Sequence, residues 1–329
     1  MRVLVTGATG FIGTSLVREL VHRGDNVNVF CRHSSDISTL DAKRISVYRG
    51  ELNSEEVARS MEGCEAVFHL AAYAKNWSKD PMEFHRVNVA GTKAVLDAVK
   101  KCGVKRMVYT SSNLTLSPSN GSTTDETTPR TVPFFTEYER SKAEAENAIL
   151  TRVKEGMDVV IVNPTRVFGP GVMSEGNSVT KLVQMYLQGR MRLILGDGNM
   201  RGNYGFVHDV VRGHVLALER GKTGERYILG GENVSFNDFF DILSNITARS
   251  RRMAHLPESV AIAFATFEGL RARVSGHYPL ITTEWLRLFV ANWACSTEKA
   301  KRELGYHVTP LRDALVETIK WLQTRAREG

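Results

Sequence analysis

The chain has 329 residues and a formal charge of +7 at pH 7, with 42% hydrophobic and 24% charged residues. That length and balance fit one large α/β domain with an elaboration, or two modest domains, in an ordinary soluble globular class, and they set disordered and fibrous classes aside. The basic residues are scattered, and their densest group, Arg249 with Arg251 and Arg252, is short and lacks interleaved aromatics, so nucleic acid is not the expected partner and the charge reads as attraction for anionic ligands such as a phosphorylated cofactor.

Residues 2–5 form a short apolar strand of the kind a parallel sheet buries on both faces. It runs into Thr6-Gly7-Ala8-Thr9-Gly10-Phe11-Ile12-Gly13, then into a helix with Leu16, Val17 and Leu20 on one side. Gly7 permits the tight turn, Gly10 lets backbone approach a pyrophosphate, and Gly13 lets the helix pack close, with the helix N-terminus facing phosphate charge. Gly7, Thr9, Gly10, Phe11, Ile12 and Gly13 are therefore candidate dinucleotide contacts. Residues 27–30 read as the second strand. Just beyond it an acid would pair with a free ribose hydroxyl, whereas Arg tolerates a 2′-phosphate. Cys31 and Arg32 stand there, which favours NADP(H) over NAD(H).

A third strand at 45–48 leads to Glu51 and Leu52, at the level of an adenine. A fourth at 66–70 ends in Ala71 and Ala72, whose small side chains suit a backbone running beside a cofactor ribose. His69 lies in an apolar run and reads as a core histidine. One helix spans about 81–101, with Asn88 facing the strand ends. Strand five, 107–110, leads into Ser111-Ser112-Asn113, and 117–133 is a Ser/Thr/Pro-rich surface loop of a length that suggests a lid or substrate loop. Strand six, 159–162, ends at Asn163-Pro164. Beyond it the regular alternation stops: helices at 179–187, 236–247 and 311–321 and strands at 192–195 and 227–229 follow. The expected fold is a Rossmann-type doubly wound parallel sheet with a smaller C-terminal α/β substrate-binding cap. The cofactor domain comprises 1–170 and 205–231, and the substrate domain comprises 171–204 and 232–329. Ligands of such sheets meet at the strand C-termini.

Tyr138-Glu139-Arg140-Ser141-Lys142 begins a helix. Positions i and i+4 share a face, so Tyr138 and Lys142 project together. A phenol titrating near ~10 is a poor base at neutral pH, and a nearby ammonium stabilises its phenolate. Ser112 can donate a hydrogen bond to a substrate oxygen. Tyr138 would then exchange a proton while nicotinamide exchanges a hydride, with Lys142 tuning Tyr138 and holding cofactor ribose. Cys31, Cys64, Cys102 and Cys295 form no CxxC pair or metal-ligand cluster, so no metal is expected and reduced cytoplasmic thiols fit. The chain enters a strand at once, leaving no room for a signal peptide, and the apolar stretch 260–267 is too short to span a bilayer, so no integral membrane segment is expected.

Residues 6–13, 69–72, 88–92, 109–112, 138–142, 163–171 and 206–210 together resemble an extended short-chain dehydrogenase/reductase of the NAD-dependent epimerase/dehydratase superfamily, over nearly the whole chain. The resemblance implies a catalytic set of Ser112, Tyr138 and Lys142, with Asn88 accessory. It also implies Pro164 and Val167 beside the nicotinamide carboxamide, and a homodimer through the helices near 81–101 and 138–155. Within the family, 134–142, 213–219, 224–233 and 295–306 are similar to the dihydroflavonol-4-reductase and farnesol-dehydrogenase-like group. Sugar-nucleotide epimerases and dehydratases are the competing branch. Dehydratases place Asp-Glu after the catalytic hydroxyl, where Asn113-Leu114 stands here, and their relatives often carry a diphosphate-holding Asn where Arg166 stands. The expected activity is NADP(H)-dependent interconversion of a carbonyl and an alcohol on a lipophilic or aromatic small molecule. The alternatives are an NAD-dependent sugar-nucleotide epimerase and, more remotely, a non-catalytic NADP-binding sensor. Tyr73, Trp77, Asn113, Arg166 and Tyr204 are the candidate substrate contacts, with Phe134 and Phe135 as further aromatic walls.

Overall fold

The computed structural model describes residues 1–75, 77–249 and 253–328; Arg251 and Arg252 of the basic group lie outside them. The strands are β1 (Arg2–Thr6), β2 (Asn26–Cys31), β3 (Ile45–Arg49), β4 (Ala66–His69), β5 (Arg106–Thr110) and β6 (Val159–Pro164). They continue as β7 (Arg166–Phe168), β8 (Leu193–Leu195), β9 (Arg201–Phe206), β10 (Arg226–Leu229), β11 (Glu232–Ser235) and β12 (Ala254–Leu256). Seven of them form one parallel sheet in the order β10-β6-β5-β4-β1-β2-β3. The order reverses between β1 and β4, and crevices for ligands open at such a point, beyond the strand C-termini.

Successive side chains of a strand point to opposite faces, and β1 shows what that does here. Val3 and Val5 join a core with Leu16, Val17 and Leu20 of the helix Phe11–His22 and with Val207 and Val211 of the helix Val207–Arg220. Leu4, between them, joins a second core with Val95, Leu96 and Val99 of the helix Gly91–Cys102 and with Ala145 and Ile149 of the helix Glu137–Lys154. The sheet is thus covered on both faces at its centre, which is why β1, β4 and β6 read as short apolar runs.

The expected helix over 81–101 is built in three pieces: a turn at Met82–Phe84, a π-helical segment at His85–Ala90, and an α-helix at Gly91–Cys102. Asn88 sits inside the π segment. Two small sheets go beyond the sequence expectation: β11-β9-β7, with β9 antiparallel to β11 and parallel to β7, and the parallel pair β12-β8. The loop at 117–133 is fastened down. Arg130 donates to the carbonyls of Leu114, Leu116 and Pro133 at 2.7, 2.6 and 3.0 Å, and Thr124 bridges to Cys295. Residues 260–267 belong to a longer helix, Glu258–Ser275, which buries Ala261, Ala265 and Ala272, leaves Val260, Ile262, Phe267, Leu270 and Val274 exposed, and carries the half-exposed Phe264 on the cavity side. Among the described residues no helix is long and apolar enough to cross a membrane.

Candidate active site

The glycine loop joins β1 to the helix Phe11–His22. Gly7 has φ +70°, and a Cβ there would lie 2.6 Å from the backbone of Leu70 and Ala71, so the turn presses against the chain leaving β4. A Cβ on Gly13 would come within 2.1 Å of the Gly7 carbonyl oxygen, so the helix starts in contact with the loop. Around Gly10, a Cβ would meet just the Gly7 carbonyl oxygen, at 3.2 Å, which leaves its outer side open for a close approach. The helix has no side-chain cap and no acid in its first turn, so its first amides and its positive dipole end remain for an anion. These features fit a dinucleotide pyrophosphate.

The other candidate cofactor residues ring the same strand ends. Ala71 and Ala72 follow β4 beside Gly7, and Leu52 packs over Gly91. Glu51 is exposed, and its amide donates to Glu56 at 2.7 Å. Arg32 follows β2 with an exposed side chain, while Arg49 donates to the carbonyls of Arg32, His33 and Ser35 at 2.9 to 3.2 Å and so shapes that loop. Pro164 closes β6, and Val167 lies buried in β7.

Tyr138 owes its place to the start of its helix. Thr136 and Glu139 make a capping box: the Glu139 amide donates to Thr136 Oγ1 at 3.2 Å, and the Glu139 carboxylate accepts from the Thr136 amide at 2.8 Å. Tyr138 is thereby held in the first turn, facing Ser112. Crowding by the protein pushes the phenol up to about 12, which the Ser112 hydroxyl partly offsets. Ser112 itself accepts from the Leu114 amide at 3.2 Å and caps the short turn Asn113–Thr115.

Lys142 is buried one turn further on, donating to the Thr110 carbonyl at 2.7 Å and lying 4.3 Å from the centre of the Tyr109 ring. Burial pulls its ammonium down to about 7, against the pull of the Glu146 carboxylate. The Tyr138 phenol is thus shifted up by burial, opposite to the lowering expected from Lys142, whose ammonium is directed to the Thr110 carbonyl.

Asn88 ties three parts together. Its side-chain oxygen accepts from the Tyr73 amide at 2.7 Å, and its amide nitrogen donates to Ser141 Oγ at 2.9 Å. The loop after β4 is thereby fixed to the helix that carries Tyr138 and Lys142. His69 is a core histidine, between Thr6 Oγ1 at 2.6 Å and Thr92 Oγ1 at 3.1 Å, and burial holds it down at about 3.

A buried network behind the site carries no local signature. Glu146 accepts from Thr115 Oγ1 at 3.0 Å and Asn163 Nδ2 at 2.9 Å and pairs with Arg226 at 2.8 Å. Asn163 also donates to the Ser112 carbonyl at 2.9 Å. Glu146 thus braces the turn that follows β5 and bears Ser112, and its carboxylate faces the Lys142 ammonium. Sequence reasoning missed Glu146, because its partners Thr115, Asn163 and Arg226 come from distant parts of the chain.

Ser112, Asn113 and Tyr138 open into a cavity of about 800 Å³, walled mainly by apolar side chains such as Leu182, Phe240, Phe264, Ile281, Trp285 and Phe289. Arg166 and Tyr204 line it too. Tyr73 and Trp77 do not: Tyr73 packs edge-on to Phe84 and Trp77 to Tyr278, while their neighbours Ala74 and Lys75 reach the wall. Phe134 and Phe135 are likewise turned to Arg130, whose guanidinium lies 4.2 and 5.9 Å from their ring centres.

A doubly wound sheet with a glycine turn at its reversal point and a Ser/Tyr/Lys set at the neighbouring strand end defines a nicotinamide-dependent short-chain dehydrogenase/reductase. The family model described as "NAD dependent epimerase/dehydratase family" matches residues 3–230, and the chain belongs to that family. It is 33% identical over 325 residues to a putative dihydroflavonol 4-reductase of Synechocystis, covering 97% of this chain and 94% of the relative. It is 31% identical over 332 residues to sterol demethylase protein B of Methylococcus capsulatus, covering 99% of each. The crystal structure of gox2253 superposes with a TM-score of 0.83 at 34% identity, over 99% of this chain and 98% of that one. The protein is an NAD(P)-dependent oxidoreductase acting on CH–OH groups.

Proposed function

We propose that this protein interconverts a carbonyl and an alcohol on a lipophilic or aromatic small molecule, with NADP(H) preferred over NAD(H) and Tyr138 as the acid/base. The observation that carries the reading is that Ser112 and Tyr138 open into a large cavity whose walls are mostly aliphatic and aromatic. A sugar diphosphate would leave most of its polar groups unpaired against such walls. A nicotinamide cofactor held by the glycine loop would supply or take the hydride. Ser112 donates to the substrate oxygen and fixes its position. Tyr138, protonated at neutral pH because burial holds it near 12, gives its proton to that oxygen as the carbonyl is reduced and recovers it in the reverse direction. Lys142 and Asn88 act as positioning residues, one tied to Thr110 and the other to Ser141.

The Arg32 guanidinium supports the NADP(H) preference, since a 2′-phosphate is held by a charge-assisted bond that a free hydroxyl does not make. A homodimer through the helices Gly91–Cys102 and Glu137–Lys154, in the cytoplasm, belongs to the same reading; sedimentation of the purified protein tests the dimer. The activity test is to titrate NADPH and NADH into nucleotide-free protein, then to screen hydrophobic ketones and alcohols by nicotinamide absorbance. NADPH is expected to bind at least about tenfold more tightly, and Arg32→Asp to erase that margin. Release of tightly retained NAD from the purified protein would overturn the preference and favour epimerisation.

A further inference from the structure

Arg166 opens β7, two residues beyond Pro164, and its guanidinium enters the cavity among three aromatic rings. The guanidinium carbon lies 5.4 Å from the Phe236 ring centre and 5.8 Å from those of Phe289 and Tyr204. Space has been left for it: a Cβ on Gly202 would come 2.7 Å from Nη1 and 2.9 Å from the guanidinium carbon. Among the described residues no carboxylate pairs with it, and its hydrogen bond is a long one, Nη1 to the Tyr204 hydroxyl at 3.5 Å. The charged side chains that share the cavity wall are Lys75, which lies 5.5 Å from the Tyr73 ring centre, and Glu175.

A guanidinium offers five donors in a rigid fork. Arg166 is half-buried in the cavity wall, and its long hydrogen bond to Tyr204 leaves donors of that fork for the acceptor atoms of a ligand. The rings stabilise the cation through their negative faces, and Arg166 itself lines the cavity. A carboxylate matches that fork with two parallel bonds. A phosphate dianion carries a second charge and further oxygens that one fork leaves unmatched; Lys75 and Glu175 in the same wall have opposite charges and do not decide between the two anions.

We propose that Arg166 is a carboxylate clamp and that the substrates of this cavity are lipophilic oxo- or hydroxy-acids. The carboxylate rests on Arg166, the reacting oxygen on Ser112 and Tyr138, and the hydrocarbon body fills the apolar remainder. This deepens the proposed function and rests on it for the reacting end alone; the clamp is a binding statement and is tested as one.

The test uses the full chain with NADPH present and two fluorescent probes, a dansyl-tagged undecanoic acid and its methyl ester. Wild-type protein is expected to bind the acid about 10- to 100-fold more tightly than the ester, the range of a charge-assisted pair in a partly dry site. Arg166→Leu should bring the acid to the level of the ester while leaving ester affinity within about twofold, and Arg166→Lys should keep part of the preference. The acid-to-ester ratio separates a clamp from a wall, because a structural role would weaken both probes together. Equal binding of acid and ester by wild type overturns the clamp, as does an equal loss of both in Arg166→Leu, or no binding of either. The ratio can be read in Tyr138→Phe protein as well. A clamp with no turnover of any oxo-acid by wild type would sink the proposed reaction and leave the clamp standing.

Discussion

At the scale of single residues, the site is governed by burial. Tyr138 and Lys142 are drawn in opposite directions by the same cause: removal from water disfavours the phenolate of one and the ammonium of the other. The proton that Tyr138 holds at neutral pH is the one a reduction consumes. Tyr138→Phe removes that proton and leaves the helix and cavity intact. Turnover should fall by about 10²- to 10⁴-fold, the range of a lost general acid, with NADPH affinity nearly unchanged; stopped-flow hydride transfer alongside fluorescence titration of NADPH checks both. Residual turnover within tenfold of wild type would remove Tyr138 from the role. Glu146 is the less visible half of the same balance. Glu146→Leu leaves the buried Thr115 and Asn163 donors without their acceptor and the half-buried Arg226 without its partner, and a buried group left unsatisfied costs about 1–3 kcal/mol. Denaturant unfolding should show that loss, along with reduced activity in whatever protein remains folded.

At the scale of elements, two contacts aim the chemistry. One is the capping box that starts the helix Glu137–Lys154; Thr136→Ala is expected to cost about 1 kcal/mol and to lower turnover more than cofactor affinity, since the first turn carries Tyr138. The other is the closeness of the helix Phe11–His22 to the glycine turn. In Gly13→Ala the new methyl would lie 2.1 Å from the Gly7 oxygen, so loop and helix must separate and the amides that face the pyrophosphate must turn away. NADPH titration should register at least about a tenfold loss; unchanged affinity would mean the phosphates lie elsewhere. Both elements were legible in sequence because their signals are local: three glycines at fixed spacing, a Tyr and a Lys one turn apart. The strands β1, β4, β5 and β6 were legible for a similar reason, since burial on both faces writes an apolar run. β9 was not. Arg201-Gly202-Asn203-Tyr204-Gly205-Phe206 contains two glycines and an asparagine, and its conformation comes from pairing with β11 and β7, partners from distant parts of the chain. Gly202 in that strand now has a reason, the space it leaves for Arg166.

At the scale of the whole molecule, long-range polar networks are what sequence reading missed, and they also set how the fold responds to acid. His69 joins β4 to the helix Gly91–Cys102 through Thr92, and His214 joins the helix Val207–Arg220 to β5 through Thr110 at 2.9 Å. The Val210 carbonyl, 2.8 Å from His214 Nδ1, accepts a hydrogen bond, so Nδ1 carries the proton and Nε2 accepts from Thr110; the ring is neutral and doubly satisfied. Burial holds His69 at about 3 and His214 at about 4, whereas both titrate near ~6.5 once unfolded. Below that value the unfolded chain takes up protons that the folded chain refuses, so stability is full above about 6.5 and falls as the pH drops toward 4. Each histidine contributes a slope of up to about 1.4 kcal/mol per pH unit across that window. Urea unfolding measured from pH 7 to 4.5 should therefore show a steep loss, and His214→Phe, which keeps the volume and removes the titration, should lower the slope by about one proton's worth even though it starts less stable. An unchanged slope would mean that His214 is already charged in the folded protein and that Thr110 is oriented by some other contact.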